Sequence, residues 1–232
     1  MEKTKILVAT PSWNRKSIIS LMAESLQASE LDLQNTDYLV SDDASTEYSG
    51  AELQVMFPWA TVVKHPQKHR HPLLNTHYCF NQFLEGNYSH LVIIDSDMIV
   101  APNWRARLDE LILTPDFKIG SLYNSTCHPV NKDCDTYYIK DTAGFAGMVF
   151  TRETMQNIRS RLGVSHDDWS VCHLVGKIFN VCKPSAVAHI GINGQWNGSL
   201  YSQIDKSADF VWDSIDPEIK AACETLLKVT LV

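Results

Sequence analysis

His90-Leu91-Val92-Ile93-Ile94-Asp95-Ser96-Asp97-Met98-Ile99-Val100 is the stretch that decides the fold of this chain. Four consecutive apolar residues, Leu91–Ile94, run straight into two carboxylates. Such a run reads as a strand of a parallel sheet, buried on both faces. Its carboxyl end is where open α/β sheets hold their ligands. Side chains alternate along an extended segment, so Asp95 and Asp97 turn the same way. Two hard oxygen ligands side by side suit Mg2+ or Mn2+ held jointly with a substrate's phosphates. A lone acidic strand end is also an ordinary solvated turn, so the flanking segments have to separate the two readings.

Upstream, apolar strands alternate with helical stripes. Lys5–Thr10 reads as a strand, broken by Pro11-Ser12-Trp13-Asn14-Arg15. A helix over Ser17–Gln27 follows, with Ile18, Met22 and Leu26 at four-residue spacing. A strand, a polar turn and a helix N-terminus make a natural phosphate or base site. This turn lacks the glycines of a P-loop or a G-x-G-x-x-G fingerprint. Asp37–Val40 is the second strand, ending in Ser41-Asp42-Asp43-Ala44-Ser45-Thr46, where Asp43 or Ser45 is expected to cap a helix over Tyr48–Met56. Thr61–Lys64 is the third strand. The stripe Leu73, His77, Phe80 and Leu84 predicts a helix over Pro72–Leu84 that Gly86 ends, with Arg70 just before it. A helix from Pro102 to about Leu113 completes a β-α-β-α-β-α-β-α order. That order implies right-handed crossovers and a parallel sheet covered on both faces.

The second half changes character. Lys118–Tyr123 and Asp135–Ile139 read as strands, and the small residues of Thr142–Gly147 lead into a strand at Met148–Phe150. Thr151 is a candidate N-cap for a helix to Arg159. A helix after Asp167-Asp168, strands at Phe179–Cys182 and Ser185–Ala188, and a helix over Pro217–Leu227 follow. Gly144, Trp169 and Trp196 are candidate acceptor or lid residues. Trp196 sits in a Gly- and Asn-rich loop, where its ring could stack on a sugar or base.

The 232 residues carry a net charge of −7 and are 44% hydrophobic. That suits one large α/β domain or two closely packed halves. The acidic balance argues against broad binding to nucleic acid or anionic membrane. No apolar run approaches the ~20 residues of a membrane span, and Met1–Lys5 enters a strand without a signal-like apolar region. The expected location is cytoplasmic, in a host cell if the source is viral. Six cysteines without a secretory signal read as thiols, and Cys127-His128 with Cys134 lacks the C-x-x-C pair of a zinc site.

These segments together resemble the family 2 glycosyltransferases with the GT-A fold, which use nucleotide-diphospho-sugars. Thr10-Pro11-Ser12-Trp13-Asn14-Arg15 resembles the first nucleotide-binding turn. Asp42-Asp43-Ala44-Ser45 resembles the family's D-D-x-S, Asp95-Ser96-Asp97 its D-x-D, and Asp167-Asp168 its Glu-Asp pair. The resemblance spans roughly Lys5 to Gly191. It implies a single α/β domain over 1–232, with a nucleotide-sugar half at 1–100 and an acceptor half at 101–232, built on a mostly parallel central sheet flanked by helices and a small mixed sheet on the acceptor side. It implies that Asp42 or Asp43 holds the base or ribose and that Arg70 meets the diphosphate. Asp97 would ligate Mn2+ or Mg2+, Asp95 the ribose or a metal-bound water, and His189 would be a further metal ligand. Asp168 would be the general base, with Asp167 the less secure alternative. The first acid is Asp where the family has Glu, and the segment Asn75-Thr76-His77-Tyr78 departs from the usual pattern before the D-x-D. The aromatic motifs and membrane helices of processive synthases are absent from the sequence, which implies single-sugar transfer, with inversion, from a UDP-sugar as favoured donor. The acceptor would be a glycan, a lipid-linked sugar or a protein, with modified nucleic acid less favoured.

Two other readings compete. A sugar-phosphate nucleotidyltransferase wants a Gly-rich, basic loop after the first strand, and Pro11–Arg15 has no glycine. A non-catalytic nucleotide-sugar or glycan-binding module would have lost an acid at 97 or 168, and both are present.

Overall fold

The structure, a computed structural model, describes residues 5–163, 168–176, 178–191, 206–228 and 231. Strands β1 (Ile6–Ser12), β2 (Thr36–Asp42), β3 (Thr61–Lys64) and β4 (His90–Ile93) pair in parallel in the order β3-β2-β1-β4. Their crossovers are α1 (Lys16–Ala28), α2 (Gly50–Met56) and α3 (Leu73–Glu85). The alternation within each strand decides which helix covers which face. Ile6, Val8, Val92 and Ile94 pack with Ile19, Met22 and Leu26 of α1. Leu7, Ala9, Leu91 and Ile93 pack on the other face with Cys79, Phe80 and Phe83 of α3. The four residues Leu91–Ile94 are fully buried, as a strand covered from both sides requires.

Beyond β4 come β5 (Met98–Val100), α4 (Trp104–Ile112), β6 (Ile119–Ser121), β7 (Val130–Asp133), β8 (Tyr137–Lys140) and β9 (Met148–Thr151). Helices α5 (Arg152–Arg159) and α6 (Asp168–Val175), strands β10 (Phe179–Cys182) and β11 (Val187–His189), and α7 (Pro217–Leu227) complete the order. The mixed half continues the main sheet, whose full order is β3-β2-β1-β4-β9-β6-β10-β8-β7. The parallel run stops where β9 enters antiparallel to β4. Strand β7, which hydrophobic pattern does not reveal, is exposed along its whole length at the sheet edge. A separate two-stranded ladder joins β5 to β11, and it rests on Ile18, Leu21, Phe210, Ile215 and Ile219.

Helix α2 corrects one expected cap. Ser49, not Asp43 or Ser45, caps it in a full capping box with Glu52. The expected cap of α5 is present: the Thr151 side chain accepts from Thr154 N–H. Among the described residues no helix is long and apolar enough to cross a membrane.

Candidate functional site

The register of the parallel strands lines up three turns. Ser12 lies beside Asp42, and Asp42 beside Lys64, at the carboxyl edge. After β1 the backbone of Asn14 and Arg15 is left-handed, with φ of 53° and 59°. Such conformations are unfavourable outside glycine, so neighbours must impose them. The turn after β2 does so. Ser45 Oγ and Asn14 N–H meet at 2.7 Å, Thr46 N–H donates to Asn14 Oδ1 at 2.8 Å, and Tyr48 O–H donates to Asn14 O at 3.3 Å. Thr10 and Ser12 are buried, Pro11 is half-buried, and the turn aims Arg15 across the sheet edge at Asp97.

The two acids of the second turn have different surroundings. Asp42 is completely buried and accepts from Ser45 N–H, Ser45 O–H and Ser12 O–H. The Lys64 ammonium lies 3.6 Å from it and donates to the carbonyls of Ser45 and Tyr48. Asp42 thus closes its own turn. Asp43 accepts from His69 N–H at 2.8 Å, and the His69 ring Nδ1 lies 2.5 Å away. Arg70 follows on the same loop and is exposed. Asn75, which sequence reading noted only as a departure from pattern, is buried here. Its amide donates to the carbonyls of Ser12 and Ser41 and accepts from Ser41 O–H. It staples the ends of β1 and β2 together. Lys68 lies over the ring of Trp13.

The acidic segment leaves β4 through a tight turn, with Met98 N–H donating to Asp95 O. The β5–β11 ladder sets His189 opposite Met98 and so beside Asp97. Asp97 Oδ2 accepts from Arg15 Nη2 at 2.8 Å, and His189 Nε2 lies 3.1 Å from the same oxygen. Burial by itself would raise the Asp97 carboxyl; His189 and Arg15 outweigh it and hold the group far below the usual range. Asp95 moves the other way. Burial, then the charge of Asp97, pushes it up to about 7 against the pull of His189 and Arg15, and Asp168 adds to the rise. Ser96 between them is buried. Gly191 lies against the Asp97–His189 pair. A Cβ there would stand 2.2 Å from Asp97 Oδ2 and 2.7 Å from His189 Nε2.

Among the described residues no three His, Cys, Asp or Glu side chains form a ready metal cluster. A carboxylate and an imidazole meeting at one point are nevertheless a donor pair that suits Mn2+, with remaining positions left to substrate oxygens. The side-chain-free cradle at Gly191 keeps room beside both donors.

Asp168 opens α6, half-buried, and its Oδ1 accepts from Trp169 N–H at 2.9 Å. A Cβ on Gly144 would lie 3.5 Å from Asp168 Oδ2 and 4.0 Å from His128 Nε2, so one small-residue shelf adjoins both groups. His128 Nδ1 is 2.7 Å from Thr142 Oγ1, and its ring lies 5.7 Å from that of Trp169, which is 53% exposed. Buried Lys140 donates to the His128 carbonyl at 2.6 Å and so fixes the loop. Sequence reading weighed His128 as a zinc fragment; its neighbours come from two other segments, 140–144 and 168–169. Asp167 and Trp196 lie outside the described residues.

No protein-family model matches the chain, and no curated protein does. Solved structures do. TarS of S. aureus, residues 1-349, matches with a TM-score of 0.59 and 11% identity over 79% of this chain and 59% of that one. The same protein in complex with UDP-GlcNAc gives 0.53 and 14% over 79% and 57%. The mannosyltransferase PcManGT from Pyrobaculum calidifontis, in complex with GDP-Man and Mn2+, gives 0.55 and 17% over 78% and 57%. The chain spans less than three-fifths of each of these. The parallel β3-β2-β1-β4 half, the mixed half and these matches together make the fold that of the GT-A glycosyltransferases.

Proposed function

We propose that this protein is a metal-dependent glycosyltransferase that moves one sugar from a nucleotide-diphospho-sugar to an acceptor hydroxyl. The observation that carries the reading is the convergence of Arg15 and His189 on one carboxylate oxygen of Asp97, from segments 82 and 92 residues away in the chain. Residues 1–100 supply the donor half and 101–232 the acceptor half. Asp97 and His189 would hold Mn2+ or Mg2+, and the ion would supply positive charge to the departing diphosphate. Arg15 and the exposed Arg70 add charge at the same edge. Asp43, tied to His69, faces the base or ribose, and Asp95 the ribose. Asp42, wholly used by its own turn, supports this pocket from behind.

Asp168 takes the proton of the incoming hydroxyl, and direct displacement then inverts the anomeric centre. The N-terminal end of α6 favours the ionised carboxylate, which keeps it ready as a base and limits its strength. Trp169 presents an open indole beside it, an apolar face against which a sugar ring of the acceptor can stack. That favours a glycan or lipid-linked sugar over a protein side chain. A UDP-sugar is the favoured donor, since TarS is solved with UDP-GlcNAc; PcManGT, solved with GDP-Man, keeps guanosine in the test.

The test is hydrolysis of UDP- and GDP-sugars with and without Mn2+, with nucleotide binding followed calorimetrically. Asp168→Asn should keep nucleotide binding and lose transfer by about 10²–10⁴-fold, the usual worth of a general base. Asp97→Asn should weaken Mn2+-dependent binding. If the wild type cleaves no donor and binds no nucleotide in the presence of Mn2+, the reading fails.

A further inference from the structure

We propose that Arg15 exchanges partners: it holds Asp97 while the cleft carries no ligand, and turns to the donor's diphosphate when a divalent cation takes that carboxylate. This deepens the glycosyltransferase reading and rests on it. A guanidinium carries five N–H donors in a fixed fork that matches carboxylate and phosphate alike. Arg15 spends Nη2 on Asp97 Oδ2 at 2.8 Å. Among the described residues its Nε and Nη1, both buried, have no hydrogen-bond partner. Buried donors left in this state are rare in folded proteins, and two on one side chain mark a site for an absent acceptor. The side chain is only 21% exposed, so bulk water does not take that role.

The chemistry of the acceptor follows from the neighbours. Arg15 stands at the N-terminal end of the 13-residue α1, where the backbone favours an anion. The Asp97 carboxylate stands 2.8 Å from the same guanidinium and repels one. An anion therefore enters with a divalent cation that offsets that carboxylate, which describes a metal-chelated diphosphate. The cation and Arg15 contest the same Asp97 oxygen, already shared with His189. Whichever ligand binds first must break the Arg15–Asp97 pair, and the second then binds without that penalty. Each should tighten the other by the same factor.

The experiment measures Mn2+ alone by electron paramagnetic resonance, UDP and GDP alone by calorimetry, and each nucleotide with Mn2+. It compares the wild type with Arg15→Ala and Arg15→Lys. Arg15→Ala should bind Mn2+ alone about tenfold more tightly, bind the diphosphates more weakly, and lose most of the mutual enhancement, which typically spans about 5–150-fold. Arg15→Lys keeps a cation for Asp97 and loses the fork, so its Mn2+ affinity should stay near wild type while diphosphate affinity falls. Should Arg15→Ala not fold, Arg15→Lys and the wild-type Arg Nε–H resonance on addition of UDP with Mg2+ decide. That resonance should shift. An unchanged or weaker Mn2+ affinity in Arg15→Ala, full enhancement without the guanidinium, or an unmoved resonance overturns the exchange. A wild type that binds neither nucleotide with Mn2+ overturns the glycosyltransferase reading as well, and the two failures are thereby distinguished.

Discussion

Adding one carbon at Gly191 should disable the Asp97–His189 pair. The backbone at Gly191 is not left-handed, so an alanine there is limited by space alone. Its Cβ would meet Asp97 Oδ2 at 2.2 Å, His189 Nε2 at 2.7 Å and Asp97 Cγ at 2.9 Å. Relief to a tolerable contact requires a movement of about 1 Å. The carboxylate is not a loose end that swings aside, because Arg15 and His189 both hold it, and Ile190 N–H donates to the Asp97 carbonyl at 2.9 Å. Overpacking of this kind costs about 1–3 kcal/mol. For a chain of this size that lowers Tm by roughly 3–10 °C. A displacement of about 1 Å at a positioned group also costs on the order of 10²-fold in function. Thermal unfolding and Mn2+-dependent UDP binding of Gly191→Ala measure both effects. A variant that melts with the wild type and binds UDP and Mn2+ equally well would refute the close packing of Gly191 on the pair.

Three further outcomes follow from the same edge and its support. Asn75→Ala removes the three hydrogen bonds that staple the ends of β1 and β2, and should lower stability in urea by about 1–3 kcal/mol. Asp42→Asn keeps one oxygen for Ser45 N–H but turns an amide donor toward the hydroxyls of Ser45 and Ser12, and should lower stability by a similar amount, about 1–3 kcal/mol, whether or not nucleotide is present. His90 is held near 4 by burial first and then by the charge of Arg105. Between about 6.5 and 4 the unfolded chain binds the proton and the native one does not, so stability is full above 6.5 and falls as pH drops. After allowance for partial exposure the loss is about 2 kcal/mol, and urea midpoints of wild type and His90→Gln across that range should converge on the acid side.

Much of the parallel half was legible because buried parallel strands and amphipathic helices write their periods into sequence. Leu91–Ile94 is the clearest case. The last helix was legible from its ends: Asp216 accepts from the N–H groups of Glu218 and Ile219, and Pro217 stands at the first turn. The exposed β7 was not, since its residues Val130-Asn131-Lys132-Asp133 bury nothing and only the ladder to β8 makes them a strand. The cap of α2 was misread because Ser49 looks no different from Ser45 until Glu52 closes the box. Asp42 and Asp43 are adjacent and chemically identical, yet one turns into its own loop and the other toward His69. No local pattern carries that distinction. The left-handed turn at Asn14 and Arg15 was hidden for the same reason: hydroxyl, amide and phenol groups more than 30 residues away hold Asn14 in place.

The carboxylates at this edge differ in what holds them, and that difference sorts structure from chemistry. Asp42 is bound by the N–H and hydroxyl of Ser45 in its own turn and by the hydroxyl of Ser12 at the end of β1, so it is fastened into the frame of the sheet edge. Asp97 is bound by two side chains, Arg15 and His189, either of which can rotate away. An acid that must release its partners to receive a ligand needs partners of the second kind. Among the described residues the Asp97 carboxylate is held by side chains alone, whereas Asp42 and Asp43 each accept from a backbone N–H. On the proposed reading, a diphosphate at this edge is settled between Asp97, Arg15 and His189, with the Asp42 turn as the frame in which they move.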